Sequence, residues 1–156
     1  MPPEIVIRLA RPAEAAALTD LSMRSKQSNG YDEAFMAACR DELTVTPEIV
    51  AEGEFWVAAS GQLLGCARLS GADGAGEVNT FFVDPAQKRR GIGRLLWAKL
   101  RERASALGFT ALELDADPNA APFYIALGFR VVSQTPSGSI AGRMLPRMRI
   151  DLGSLA

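Results

Sequence analysis

Histidine is missing from this chain altogether. Its absence excludes Ser–His–Asp and Cys–His nucleophilic machinery and removes the commonest transition-metal ligand. Acid–base chemistry falls instead to carboxylates, tyrosine, cysteine, lysine or water. Tyrosine and cysteine are scarce as well, with two of each, so few candidates remain. Cys39 and Cys66 stand alone, without metal-type or redox-type spacing, and are expected to be buried thiols of a reduced compartment. No metal site is expected. Net charge is nearly absent too. The 17 basic residues against 18 acidic ones leave −1, whereas non-specific binding to nucleic acid or anionic membrane needs a strongly basic balance. No apolar run approaches the length of a membrane span, and Met1-Pro2-Pro3-Glu4 does not open a signal peptide. The expectation is a cytoplasmic protein without nucleic-acid or membrane partners.

What the chain does have is enough apolar sequence for a core. Its 156 residues, 48% hydrophobic and 22% charged, suit one domain over residues 1–156. The densest local signal is Lys88-Arg89-Arg90-Gly91-Ile92-Gly93-Arg94. Before it, Val78-Asn79-Thr80-Phe81-Phe82-Val83 reads as a buried strand, broken by Asp84-Pro85. After it, Ile92, Leu95, Leu96, Leu100, Ala104 and Leu107 recur at helical spacing. A strand, a basic glycine loop and a helix N-terminus together form an anion site, because free N–H groups and the positive dipole end converge there. Gly91 and Gly93 let the backbone approach phosphate oxygens closely. A solvated surface loop would share the glycine pair; the strand, the arginines and the long helix point to phosphate.

Three nucleotide motifs fail here. A Walker loop needs Gly-Lys-Ser/Thr, but Gly93 is followed by Arg94-Leu95. The dinucleotide fingerprint and the kinase glycine loop both need a glycine where Leu96 stands. A diphosphate of another kind remains.

Along the chain, strands and helices alternate without linkers or repeats. Expected elements are a strand at Glu4–Leu9, a helix from Pro12 to about Arg24, and a helix from Tyr31 to Leu43 burying Phe35, Met36 and Cys39. A short turn capped by Thr46-Pro47 and closed by Gly53 follows, then a hairpin of Phe55–Ala59 and Leu63–Leu69. Gly108 ends the long helix, and Ala111–Ala116, Phe129–Val132 and Arg147–Leu152 complete the strands. This order predicts an α/β (α+β) fold: a mixed, mainly antiparallel twisted sheet of about six to seven strands with helices on both faces.

The second informative segment is Asp115-Ala116-Asp117-Pro118-Asn119 followed by Phe123-Tyr124 and Leu127-Gly128-Phe129. A calcium loop is excluded, since Ala120 and Ala126 occupy the glycine and bidentate glutamate positions. Asp117 as N-cap with Pro118 at the first helical position is the simpler expectation.

Together the two segments resemble the Gcn5-related N-acetyltransferases, the GNAT family. Its loop pattern, Gln/Arg-x-x-Gly-x-Gly/Ala, is matched by Lys88-Arg89-Arg90-Gly91-Ile92-Gly93 except for lysine at the first position. Asn119, Phe123-Tyr124 and Leu127-Gly128-Phe129 match as well, and the similarity runs over essentially the whole chain. It is strongest for a bacterial subgroup carrying Pro136-Ser137-Gly138-Ser139-Ile140, Gly142-Arg143 and Leu145-Pro146, whose acceptor is unassigned.

The resemblance implies acetyl-CoA as co-substrate, with its diphosphate on the N–H groups from Arg89 to Arg94. The pantetheine arm would lie along Phe81, Phe82 and Val83, beside Asn119 and Phe123. It implies direct attack of an amine on the thioester, with an N–H near Val83 polarising the carbonyl and Tyr124 as general acid. The acceptor implied is a small-molecule amine or a peptide, and a homodimer is common among such enzymes. Glu77 or Asn79, or else Glu113 or Asp115, can serve as base through a water. The segment Ser25–Tyr31 and the late loop with Ser137, Ser139 and Arg143 would face the acceptor. A CoA-binding sensor without turnover, or a binder of another phosphate ligand, stays open at this point.

Overall fold

The computed structural model describes residues 4–72, 74–87 and 89–153. Strands β1 (Val6–Leu9), β2 (Phe55–Ala59), β3 (Leu63–Ala72), β4 (Ala75–Val83), β5 (Ala111–Asp115), β6 (Arg130–Pro136) and β7 (Met144–Asp151) form one sheet in the order β1-β2-β3-β4-β5-β7-β6. Every neighbouring pair is antiparallel except β4 with β5. Helices α1 (Ala15–Gln27), α2 (Glu33–Leu43), α3 (Pro47–Ala51), α4 (Ile92–Ala106) and α5 (Ala121–Leu127) complete the chain. The sheet is thus seven-stranded, mixed and mainly antiparallel, as the element order predicts.

Alternation along the strands builds two cores, because successive side chains point to opposite faces. Val57 and Cys66 join Leu18 and Leu21 of α1 on one face, while Ala58 and Ala67 join Leu96, Leu100 and Ala104 of α4 on the other; Leu64, the extra residue where the β2–β3 register shifts, breaks the alternation and packs with the second group. Cys39 and Cys66 are free thiols, both buried. Burial pushes the Cys66 thiol up to about 12, an inert value at neutral pH.

Several boundaries shift for identifiable reasons. Pro12–Glu14 forms a separate 3-10 turn, held because the Glu14 carboxylate accepts from the Arg11 N–H at 2.8 Å and pairs with Arg8. Asp32 caps α2 by accepting from Phe35 N–H at 2.8 Å, so that helix starts at Glu33 instead of Tyr31. On α4 the inner stripe is Ile92, Leu96, Leu100 and Ala104 with Trp97 beside it. Leu95 and Leu107 face outward at 41% and 45% exposure. Among the described residues no helix is long and apolar enough to cross a membrane.

Gly76 sits where β4 and β5 run side by side, and a Cβ there would come within 2.6 Å of the Phe109 ring and 2.8 Å of Leu112. Both neighbours are fully packed, so overpacking costs about 1–3 kcal/mol. Gly76→Ala is expected to lower Tm by about 2–10 °C, measured by thermal unfolding. An unchanged Tm would mean that Phe109 has room to move aside.

Candidate active site

The site begins with a pairing that stops early. β4 and β5 pair only at Ala75↔Ala111, Gly76↔Leu112 and Glu77↔Glu113, although β4 continues to Val83 and β5 to Asp115. Beyond Glu77 the strands splay, and among the described residues one edge of β4 is left without a partner strand. On its other edge the Asp84 N–H donates to Leu64 O at 2.8 Å. Strand alternation then turns the Phe82 N–H the same way and the Phe81 and Val83 N–H groups toward the open edge. The side chains of Phe81 and Val83 pack against the α4 core and that of Phe82 against the α1 core.

At the end of this edge the chain turns into the basic loop. Lys88 lies outside the described residues. Arg89 and Gly91 have φ of 71° and 76°, the left-handed conformations that turn successive N–H groups inward; Gly91 is the N-cap of α4. Arg89, Gly91, Gly93 and Arg94 line a depression with Val83, Gln87 and Phe123. Arg90 is exposed and donates to the Gln87 side chain. The Ile92 side chain is buried in the core at 1% exposure, so only its backbone can meet a ligand. A Cβ on Gly93 would lie 3.1 Å from the Phe123 ring; the glycine is what lets Phe123 close over the helix terminus. Convergent N–H groups at a helix N-terminus suit an anion.

The edge opens into a cavity of about 630 Å³ whose lining includes Phe81, Val83, Asn119, Phe123 and Tyr124. Tyr124 is 7% exposed, with edge contacts to Phe81, Phe123 and Phe129 at ring distances of 5.4–6.0 Å. Its hydroxyl has no hydrogen-bond partner among the described residues. Burial, reinforced by the Asp117 charge, pushes the phenol well above its ordinary range.

The carboxylates considered as bases form one cluster around Arg147. Its guanidinium donates to Glu77 at 2.7 and 2.5 Å, lies 3.3 Å from both Glu113 and Asp115, and is raised by these partners, Glu77 foremost. Arg149 takes the other Glu113 oxygen at 2.8 Å. Glu77 and Asp115 line the cavity while ion-paired; Asn79 lines it too and accepts from Ser70 Oγ at 2.6 Å. Nothing local in the sequence marks Arg147. Its role follows from the register Asp115↔Arg147 and Glu113↔Arg149, which places all four on one sheet face.

A second cluster surrounds Asp117. The carboxylate accepts from Asn119 N–H at 2.8 Å, Tyr31 Oη at 2.9 Å and Lys26 Nζ at 3.2 Å. It is therefore not the cap of α5. Residues 117–120 form a turn, and the helix begins at Ala121, with Pro122 rather than Pro118 in its first turn. Burial alone would raise this carboxyl, but the Asn119 N–H, Lys26 and Tyr31 hold it below its ordinary range. Asn119 Nδ2 donates to Tyr31 Oη at 3.0 Å and Asp117 Oδ1 at 3.1 Å. Arg143 donates to Tyr31 Oη at 2.6 Å, stands 3.5 Å from Asp117 and covers the stacked rings of Tyr31 and Phe35. Arg143, in the loop expected to face the acceptor, thus meets internal partners. Ser137 Oγ accepts from the N–H groups of Ser139 and Ile140, and Ser139 Oγ donates to Glu42 at 2.7 Å. These bonds fasten the late loop to α2.

Known structures share this architecture. The PaiA N-acetyltransferase of Thermoplasma acidophilum, solved with coenzyme A, superposes with a TM-score of 0.79 at 18% identity, over 95% of this chain and 99% of that one. YncA of Salmonella typhimurium, solved with acetyl-CoA, gives 0.66 at 21% identity over 98% and 96%. A GNAT-family acetyltransferase of Streptococcus pneumoniae gives 0.70 at 20% identity over 96% and 100%. At such identities the likeness concerns the fold alone. No curated protein matches the chain in sequence. The family model of the acetyltransferase (GNAT) domain, however, matches residues 18–152. With that match over most of its length, the chain belongs to the GNAT family of acetyltransferases.

Proposed function

We propose that this protein transfers an acetyl group from acetyl-CoA to a primary amine of a small molecule or peptide, both reactants being held together. The observation that carries the proposal is the junction of three features: the open edge of β4, the glycine cradle at the head of α4, and the Tyr124 hydroxyl beside both. The presence of coenzyme A in the PaiA structure and of acetyl-CoA in that of YncA supports the donor.

Each residue then has a task. The N–H groups from Arg89 to Arg94, with the helix dipole and nearby guanidinium groups, hold the diphosphate. The open edge at Phe81–Val83 pairs with the pantetheine amides as a strand would. Val83 N–H stabilises the charge that develops on the thioester oxygen. The amine nitrogen forms its bond to the acyl carbon as the carbon–sulfur bond breaks, and Tyr124 gives its proton to the departing thiolate. Glu77, placed by Arg147, takes the proton of the incoming ammonium through a water. Alignment of the two reactants supplies much of the rate.

Titration calorimetry with acetyl-CoA, followed by a panel of primary amines read as free thiol, tests the proposal. Saturable binding and thiol release with at least one amine are expected. Absence of binding rejects the donor. Binding without thiol release across a broad panel points to the sensor role.

A further inference from the structure

Tyr31 does not line the cavity, yet three hydrogen bonds converge on its hydroxyl, and one comes from Asn119, which the family resemblance sets beside the pantetheine arm. A phenol has one proton to give and two lone pairs. The Asp117 carboxylate is an acceptor, so it takes the Tyr31 proton, at 2.9 Å. Both lone pairs are then filled, by Arg143 Nη2 at 2.6 Å and Asn119 Nδ2 at 3.0 Å. The Asn119 amide is fixed in turn. Its NH₂ group must face Asp117 and Tyr31, since the reverse orientation would set its carbonyl oxygen against a carboxylate oxygen 3.1 Å away. Both amide hydrogens are spent there, and the carbonyl Oδ1 is the group left to meet the cavity that Asn119 lines. Pantetheine presents two amide N–H groups to such an acceptor.

We infer that Tyr31 is a positioning residue for the donor: with Asp117 it locks the Asn119 amide so that its carbonyl oxygen is aimed at a pantetheine N–H. The inference rests on the acetyl-CoA reading above. It also ties the two sides of the site together. Tyr31 belongs to the segment between α1 and α2, Arg143 to the loop between β6 and β7, and Lys26 to the last turn of α1; all three converge on the turn that carries Asn119. The segments expected to face the acceptor thereby hold the residue expected to hold the donor. Chain ordering on either side is shared by both.

The test compares coenzyme A with adenosine 3′,5′-bisphosphate, its nucleotide part without phosphopantetheine, by titration calorimetry. Tyr31→Phe keeps the ring stacked on Phe35 and removes only the hydroxyl. It is expected to weaken coenzyme A about 3- to 10-fold, the worth of one well-aimed hydrogen bond, and to leave the bisphosphate within about twofold. Asn119→Ala should weaken coenzyme A by a similar factor. The double variant Tyr31→Phe/Asn119→Ala should be no weaker than Asn119→Ala alone, because one residue acts through the other. An Asn119→Ala variant with unchanged coenzyme A affinity removes the pantetheine contact itself. Normal affinity in Tyr31→Phe, with Asn119→Ala impaired, overturns the inference and leaves the contact standing. Additive losses, or equal loss of the bisphosphate, would show that Tyr31 merely supports the fold.

Discussion

Tyr124→Phe lowers kcat by about 100-fold or more and leaves acetyl-CoA affinity within about twofold. The first number is the lower end of what a positioned general acid contributes. The second follows from packing, since the Phe ring keeps the edge contacts to Phe81, Phe123 and Phe129 that Tyr124 makes. Steady-state kinetics with any acceptor that releases thiol, set beside calorimetry, separates the two effects. The pH profile adds a sign. Burial and the Asp117 charge raise the phenol above its ordinary value, so the acid form persists to higher pH than in a free tyrosine. The wild-type rate should therefore show no decline from Tyr124 across the neutral and mildly alkaline range. A variant with full turnover would remove Tyr124 from the mechanism.

Gly91→Val abolishes most donor binding without unfolding the protein. Gly91 has φ of 76°, a conformation that a β-branched residue reaches only at a cost of about 1–3 kcal/mol. Nothing lies within 4 Å of where its Cβ would be, so the strain is relieved by moving the loop instead of by disrupting the core. The N–H groups then lose their convergence, and acetyl-CoA should bind about 10- to 100-fold more weakly while Tm changes by only a degree or two. Gly91→Asn is the informative companion, because asparagine tolerates the left-handed region. It should retain most of the affinity. If Gly91→Val binds normally, the cradle does not depend on this backbone conformation.

Much of this arrangement was legible because it is local. Thr46-Pro47 and Gly53 bracket α3 through a side-chain cap and a left-handed glycine, both properties of single residues. The β4 strand, the basic loop and α4 follow one another directly, so composition and period revealed them together. What stayed hidden depends on contacts between distant segments. Asp117-Pro118 has the local chemistry of a helix start, but Lys26 and Tyr31, about 90 residues away, engage the carboxylate. The candidate bases Glu77, Glu113 and Asp115 look independent in sequence. The register of β5 and β7 gathers them around Arg147. Leu95 and Leu107 fit the helical period yet point to solvent, so the buried stripe of α4 is narrower than the period alone suggests.

The early divergence of β4 from β5 has a consequence for how such a protein can change over time. An attachment made through main-chain groups is indifferent to which side chains the strand carries. With the donor placed as proposed above, substitutions that respect the pleat can accumulate along β4 without dissolving the hold on it. The rest of the cavity lining is different, since it includes side chains such as Glu42, Thr44, Arg68 and Asn79. On the site proposed above, descendants of one ancestral chain can keep a common acetyl source while drifting from one recipient to another, which separates the inherited half of the reaction from the half that is free to vary.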